Sequence, residues 1–232
     1  DASRATTDEL AIVAELASKT GAERLRYADT LGILDPFSTY EQISALRQHW
    51  DGQLEIHAHD DLGLATANTL AAIRAGATHA NTTVMGLGER AGNAPLEEIV
   101  LALKQCYATE TGINSRALTG LCEQVAKAAG RAIPTQKSLV GELVFTHESG
   151  LHVDGLLKDR RNYQGVDPAL LGREHHLVLG KHSGRHGVMA VFSQLGYALS
   201  EPEIKWLLVQ LREFVERYKH SPGENELHQL VR

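Results

Sequence analysis

Leu54-Glu55-Ile56-His57-Ala58-His59-Asp60-Asp61-Leu62-Gly63 is an apolar alternation that runs into a polar turn ending in glycine. Leu54 and Ile56 alternate with Glu55, His57 and His59, so a strand here places both histidines on one face. Two imidazoles at i and i+2 at a strand end can converge on one metal ion. Further along stands Gly86-Leu87-Gly88-Glu89-Arg90-Ala91-Gly92-Asn93, a glycine-rich polar loop between a short strand and a helix that opens with Pro95. Strand ends followed by such loops are where α/β proteins place their sites. Taken singly, an HxH pair is more often solvated or packed than metal-binding, and this GxG lacks the third glycine and the Lys-Ser/Thr of nucleotide loops. At the ends of consecutive strands the two motifs reinforce each other.

Around this centre the chain alternates helix and strand. Thr6-Thr7-Asp8-Glu9 is a capping box, after which Leu10, Val13, Leu16 and Ala17 form one apolar face until Gly21. Arg24 to Asp29 reads as a strand that ends in Asp29-Thr30-Leu31-Gly32. A second helix is patterned by Phe37, Tyr40, Ile43, Leu46 and Trp50. A third, Leu64 to Ala75, offers the small residues Ala67, Ala71 and Ala75 to a sheet, and residues 79 to 84 make the next strand. Pro95 opens a fourth helix through Leu96, Ile99, Val100 and Leu103, with Glu97 and Glu98 well placed in its first turn. That rhythm predicts βα units on a parallel sheet.

From Ala108 the strand rhythm stops. Leu118 to Ala129 is a short helix broken by Gly130 and Pro134, and Leu139 to Thr146 leads into His147-Glu148-Ser149-Gly150-Leu151-His152. Gly180-Lys181-His182-Ser183-Gly184-Arg185 opens a helix that runs through Leu195. Ser200-Glu201-Pro202-Glu203 caps a long helix with the face Ile204, Leu207, Leu208, Leu211, Phe214 and Val215. The polar tail after Pro222 is expected to fray.

Several stretches carry a family resemblance. His57-Ala-His-Asp-Asp-Leu-Gly-Leu-Ala-Thr-Ala-Asn-Thr-Leu-Ala-Ala-Ile and Asn81-Thr-Thr-Val-Met-Gly-Leu-Gly-Glu-Arg-Ala-Gly-Asn-Ala-Pro-Leu-Glu-Glu closely resemble the signature of the homocitrate and isopropylmalate synthases. Phe145-Thr-His-Glu-Ser-Gly-Leu-His and Leu179-Gly-Lys-His-Ser-Gly-Arg extend the resemblance to nearly the whole chain. It implies the C-terminal portion of a (βα)8 TIM barrel over residues 1–108, followed by mostly helical subdomains over residues 109–232 that cover a partner subunit's barrel mouth. Three strands cannot close a barrel of about 250 residues, and the chain begins at Asp1 in what reads as a loop, so the first strands are expected upstream of it.

The resemblance also implies chemistry. Its members condense an acetyl thioester with a 2-oxo acid, which requires that the keto acid be held and polarised, that a methyl proton leave, and that charge on oxygen be stabilised. It implies a divalent ion (Zn, Mn or Mg) with acetyl-CoA as co-substrate, and assigns His57 and His59 to the metal, with Asn93 a further ligand or an outer-shell partner. Thr30 corresponds to the hydroxyl that meets the substrate carboxylate, and Glu89 and Arg90 to a catalytic and a substrate-binding residue in the loop. His152 and Tyr163 correspond to a pair that assists proton transfer, for which a histidine has a suitable pKa. The family's acidic ligand, which follows an arginine on the first barrel strand, has no counterpart in the chain. His147 is a weaker candidate, His175, His176 and His186 read as surface residues, and Lys181, His182 and Arg185 read as helix-orienting groups with anionic CoA as the alternative.

The implied activity is acyl transfer from acetyl-CoA to 2-oxoglutarate, because the Asn81–Arg90 stretch and the absence of a further regulatory domain resemble the homocitrate-forming branch, and within it the nitrogen-fixation type. Isopropylmalate or citramalate synthesis is the alternative; a reading of another class is an inactive fragment that only dimerises or binds metal weakly. Composition is consistent with small-molecule substrates. The 232 residues are 43% hydrophobic and carry 23 Lys+Arg against 29 Asp+Glu, a net charge of -6. This gives no basic footprint for nucleic acid or anionic membrane. Cys106 and Cys122 stand in no metal or redox spacing, and no apolar run reaches the length of a membrane span, which predicts a cytoplasmic location; the resemblance implies a homodimer.

Overall fold

Three strands, β1 (Arg24–Asp29), β2 (Gln53–Ala58) and β3 (His79–Asn81), pair in parallel in that order in the computed structural model, which describes residues 1–231. The register sets Ala28 opposite His57, and His57 opposite Asn81. Because side chains alternate across a strand, the sheet has two unlike faces. Tyr27, Leu54, Ile56 and Ala58 are buried in the core with Ile43, Leu46, Ala72, Ile99 and Leu103 of the helices. On the other face Glu55 is ion-paired to Arg24 at 3.2 Å and Arg26 at 2.6 Å, and His57 follows it along the strand.

The helices of this unit are α1 (Thr7–Lys19), α2 (Pro36–Arg47), α3 (Ala65–Arg74), α4 (Leu96–Tyr107) and α5 (Leu118–Ala129). Thr6 and Glu9 form the reciprocal capping box at the start of α1, as the sequence predicts. Its buried face differs from the expected one. Ala14 is fully buried with Leu10 and Ala17 against the core, whereas Val13 and Leu16 are exposed, because a methyl group at position 14 lets the helix seat closely. In α2, capped by Asp35 with Pro36 in the first turn, Ile43 and Leu46 are buried but Phe37 and Tyr40 are exposed. The buried stripe of α3 is Ala65, Asn68, Thr69 and Ala72 rather than Ala67, Ala71 and Ala75. Asn68 Nδ2 donates to the Leu34 carbonyl at 2.7 Å, which sets the rotation of the helix.

The strand expected over 79–84 stops at Asn81. Thr83 forms only a bridge to Pro95, and the chain turns through Val84–Gly86 with Met85 at φ 59°. The turn is held by the Met85 amide, which donates to the fully buried Glu97 of α4 at 3.0 Å.

The chain divides into two units: Asp1–Ile133 with Ser138–Val140, and Pro134–Lys137 with the chain from Gly141 onward. The first unit therefore includes α5, beyond residue 108. The second is mostly helical, with α6 (Gly150–Lys158), α7 (Arg185–Gln194), α8 (Glu201–Tyr218) and α9 (Glu224–Leu230) beside a two-residue parallel pair, β4 (Thr146–His147) and β5 (His176–Leu177). Its core joins Leu179, Val188 and Phe192 to Ile204, Leu207 and Leu211 of α8 and Leu227 of α9. The tail expected to fray is thus a helix: Leu227 is buried, and the Tyr197 hydroxyl and His228 Nδ1 share a 2.8 Å hydrogen bond. Among the described residues no helix is long and apolar enough to cross a membrane.

Candidate active site

Ala58 ends β2, and His57 and His59 flank it with ring centroids 4.7 Å apart at 76°. Each ring is fixed through its Nδ1. His57 Nδ1 lies 2.9 Å from Asn81 Oδ1 and His59 Nδ1 lies 3.0 Å from the Asp29 carbonyl oxygen. Both partners are acceptors, so each Nδ1 carries a proton, and in the neutral ring the lone pair is then on Nε2. Metal-binding histidines are oriented in this manner by outer partners. Burial, offset in part by the Asn81 hydrogen bond, holds the His57 pKa below its usual value and favours the neutral ligand form.

Asn93 completes the group. It forms an antiparallel bridge with His59, is 7% exposed, and donates through Nδ2 to the Leu87 carbonyl at 3.2 Å. Its Oδ1 is buried without a hydrogen-bond partner. A buried amide oxygen left without a donor is costly, and a cation would satisfy it. Two oriented imidazoles and this orphaned oxygen fit a divalent ion, although no group of three or more His, Cys, Asp or Glu capable of holding one exists among the described residues. The glycines make the close approach possible. A Cβ on Gly88 would stand 2.1 Å from Asn93 Nδ2, and one on Gly92 would stand 2.0 Å from the Gly86 carbonyl oxygen.

The loop after β1 is tied to the same place. Asp29 is fully buried and accepts the Ile33 and Leu34 amides at 3.2 and 3.1 Å, which leaves Thr30 exposed at the strand end. Arg90 donates to both carboxylate oxygens of Asp61 and to the Thr30 carbonyl, while Glu89 beside it is exposed. Sequence reading did not assign roles to Asn81, Asp29 or Asp61. For Asn81 the signal was available, since a parallel register that starts both strands at their polar edge sets it beside His57. The other two act through contacts that no local pattern encodes.

In the second unit His152 of α6 and Tyr163 stack with centroids 4.3 Å apart at 29°. Gly155 permits this, because a Cβ there would stand 2.4 Å from Tyr163 Cε2. The start of α6 is fixed by the Gly150 amide, which donates to the His182 carbonyl at 2.9 Å, and by Glu148, which accepts the His182 amide at 2.9 Å. Lys181 and Arg185 pair with Glu216 and Glu201. His175 is not the surface residue expected. It is half-buried, 3.0 Å from His147 Nε2 and 2.9 Å from Gln164 Oε1, and burial lowers the pKa of both histidines.

A parallel βα sheet with His-x-His at one strand end, a glycine-rich loop at the next, and a mostly helical unit after it defines a barrel class with a candidate metal site. The chain belongs to the HMGL-like family, which residues 1–125 match, and residues 139–219 match the family described as homocitrate synthase post-HMGL domain-like. It is 45% identical, over 98% of its length, to 59% of 2-isopropylmalate synthase 2 of Caldanaerobacter subterraneus subsp. tengcongensis. It is also 45% identical over its whole length to 62% of homocitrate synthase 1 of Nostoc sp.. It therefore spans about 60% of the length of these curated relatives. Among solved structures, the HMG-CoA lyase of Bacillus subtilis matches with a TM-score of 0.51 and 25% identity over 56% of this chain and 46% of that one. The fold is accordingly a portion of a TIM barrel followed by a mostly helical region.

Proposed function

We propose that this chain serves an acyltransferase that condenses acetyl-CoA with 2-oxoglutarate to give homocitrate and CoA, in a homodimer whose 109–232 region crosses to the partner copy. The observation that carries the reading is the pair of imidazoles with free Nε2 lone pairs beside the orphaned Asn93 Oδ1. His57, His59 and Asn93 would hold a divalent ion, which supplies Lewis-acid polarisation of a bound 2-oxo acid. The Thr30 hydroxyl binds the substrate carboxylate. His152 takes the methyl proton of the thioester, Tyr163 stacked on it orients the ring and relays the proton, and Glu89 assists proton transfer from the loop. The new carbon–carbon bond forms between that methyl carbon and the keto carbon, and hydrolysis of the thioester releases CoA.

The preference for 2-oxoglutarate, and for the nitrogen-fixation type, rests on the Asn81–Arg90 stretch. Equal identity to a 2-isopropylmalate synthase keeps isopropylmalate or citramalate synthesis as the second reading. The test is CoA release with a divalent metal and a panel of 2-oxo acids. Release specific to 2-oxoglutarate supports the proposal. Release only with 2-oxoisovalerate or pyruvate selects the second reading, and silence with every acid under all metals sinks both.

A further inference from the structure

Arg90 stands in the loop after β3, yet two of its nitrogens are spent on the loops after β1 and β2. Its Nε lies 2.9 Å from Asp61 Oδ1, and its Nη2 lies 3.0 Å from Asp61 Oδ2 and 2.7 Å from the Thr30 carbonyl oxygen. The two-point contact with the carboxylate fixes the plane of the guanidinium as well as its distance. Its backbone adopts φ 51°, a conformation that a residue with a side chain seldom takes. Such a conformation persists where surrounding contacts determine it, and here the ion pair and the carbonyl contact do so.

The surroundings are shaped to the same end. Gly32, at φ 65°, leaves the space into which Asp61 fits, since a Cβ there would lie 2.5 Å from Asp61 Oδ2. The Asp60 amide donates to the Gly92 carbonyl at 3.0 Å, so the β2 and β3 loops are joined a second time. Asp29, whose carbonyl accepts from His59, also holds the Ile33 and Leu34 amides. Arg90 thus holds Thr30 directly through its carbonyl, and His59 lies two residues from Asp61, the other residue that Arg90 holds.

We infer that Arg90 is a positioning residue, a latch that sets Thr30 and His59 relative to one another, rather than a direct ligand of the substrate. Resting on the reading above, this assigns Thr30 to the 2-oxo acid and makes Arg90 act through it. The ion pair is partly exposed, with 42% of the Arg90 and 27% of the Asp61 side chain accessible, and such pairs add little to global stability. The contribution of the latch is geometric, and its loss shows in the loops and the chemistry more than in unfolding.

The test compares Arg90→Met, Arg90→Lys, Asp61→Asn and the Arg90→Met/Asp61→Asn double variant in the full chain. Amide exchange at Gly32, Ile33 and Leu34 is expected to accelerate by about tenfold in Arg90→Met and in Asp61→Asn, and little further in the double variant, because the two residues form one device. Arg90→Lys falls between, since an ammonium cannot bridge both acceptors with fixed geometry. In the CoA-release assay kcat drops by about 10- to 100-fold in Arg90→Met and in Asp61→Asn alike, and any change in KM for the 2-oxo acid is shared by the two variants because both displace Thr30. A rise in KM confined to the Arg90 variants, with Asp61→Asn like the wild type, identifies a substrate ligand and overturns the inference. Unaltered exchange in both single variants overturns it too. Exchange that responds as described in a chain that releases no CoA with any 2-oxo acid supports the latch and removes the functional reading alone.

Discussion

His59 Nδ1 lies 3.0 Å from the carbonyl oxygen of Asp29, the last residue of the neighbouring strand, so the backbone of one strand fixes the ring that stands at the end of the next. Asn81 does the same for His57 from the other side, at 2.9 Å. The two histidines are therefore supported by different chemistry, a main-chain oxygen that substitution cannot remove and a side-chain oxygen that it can.

Asn81→Ala leaves His57 Nδ1 without its acceptor and frees the ring to change tautomer and rotamer. Affinity for a divalent ion, read by titration with Zn or Mn, is expected to weaken by about 10- to 100-fold with the fold retained. Asn81→Asp, which keeps an acceptor at that place, restores it. Equal affinity in the wild type and Asn81→Ala would show that the pair does not hold the ion.

Gly88→Ala is expected to destabilise the first unit by about 1–3 kcal/mol, because the new methyl group would collide with Asn93 Nδ2 and force the loop apart. Gly120→Ala is the opposite case. Gly120 lies inside α5 with nothing within 4 Å of an added Cβ, so the change stabilises by about 0.5–1 kcal/mol through the unfolded chain. Urea unfolding of the two variants distinguishes crowding at the site from glycine flexibility in general.

Glu203 reaches back to the Ser200 hydroxyl and amide at the start of α8, and these contacts hold its carboxyl below the ordinary value of 4.5. A carboxylate with a folded pKa below its unfolded one contributes stability above the unfolded value and loses it as pH falls through the folded one. The second unit of the wild type should thus weaken more steeply than Glu203→Gln on acidification below about pH 4.5, and the two should run parallel above it. Parallel loss of stability across the acid range in both would show that the cap carries no titrating contribution.

Capping and alternation were legible in the chain because both are local. Thr6 with Glu9, and Ser200 with Glu203, are read three residues apart; the first forms the full reciprocal box, and in the second Glu203 reaches back to the Ser200 amide and hydroxyl. The βα rhythm required only hydrophobic period, and it places His57 and His59 at a strand end. The faces of α1 and α3 were not legible in the same way. Whether Val13 or Ala14 turns inward depends on how closely the helix can seat on the sheet, which small residues decide through packing rather than hydrophobicity.

The amino-acid sequence by itself determined the order of elements, the strand-end histidines and the glycine loop, since each is written in short-range pattern, while His152 and Tyr163 were singled out only through the family resemblance. Only the tertiary structure decided that Asn81 and the Asp29 carbonyl orient the histidines, that Asn93 Oδ1 is buried without a donor, and that Arg90 bridges to Asp61 and Thr30. These contacts join residues of different strands and loops, brought together by the parallel register of the sheet. Their chemistry depends on which nitrogen or oxygen is left unpaired, and no spacing along the chain records that.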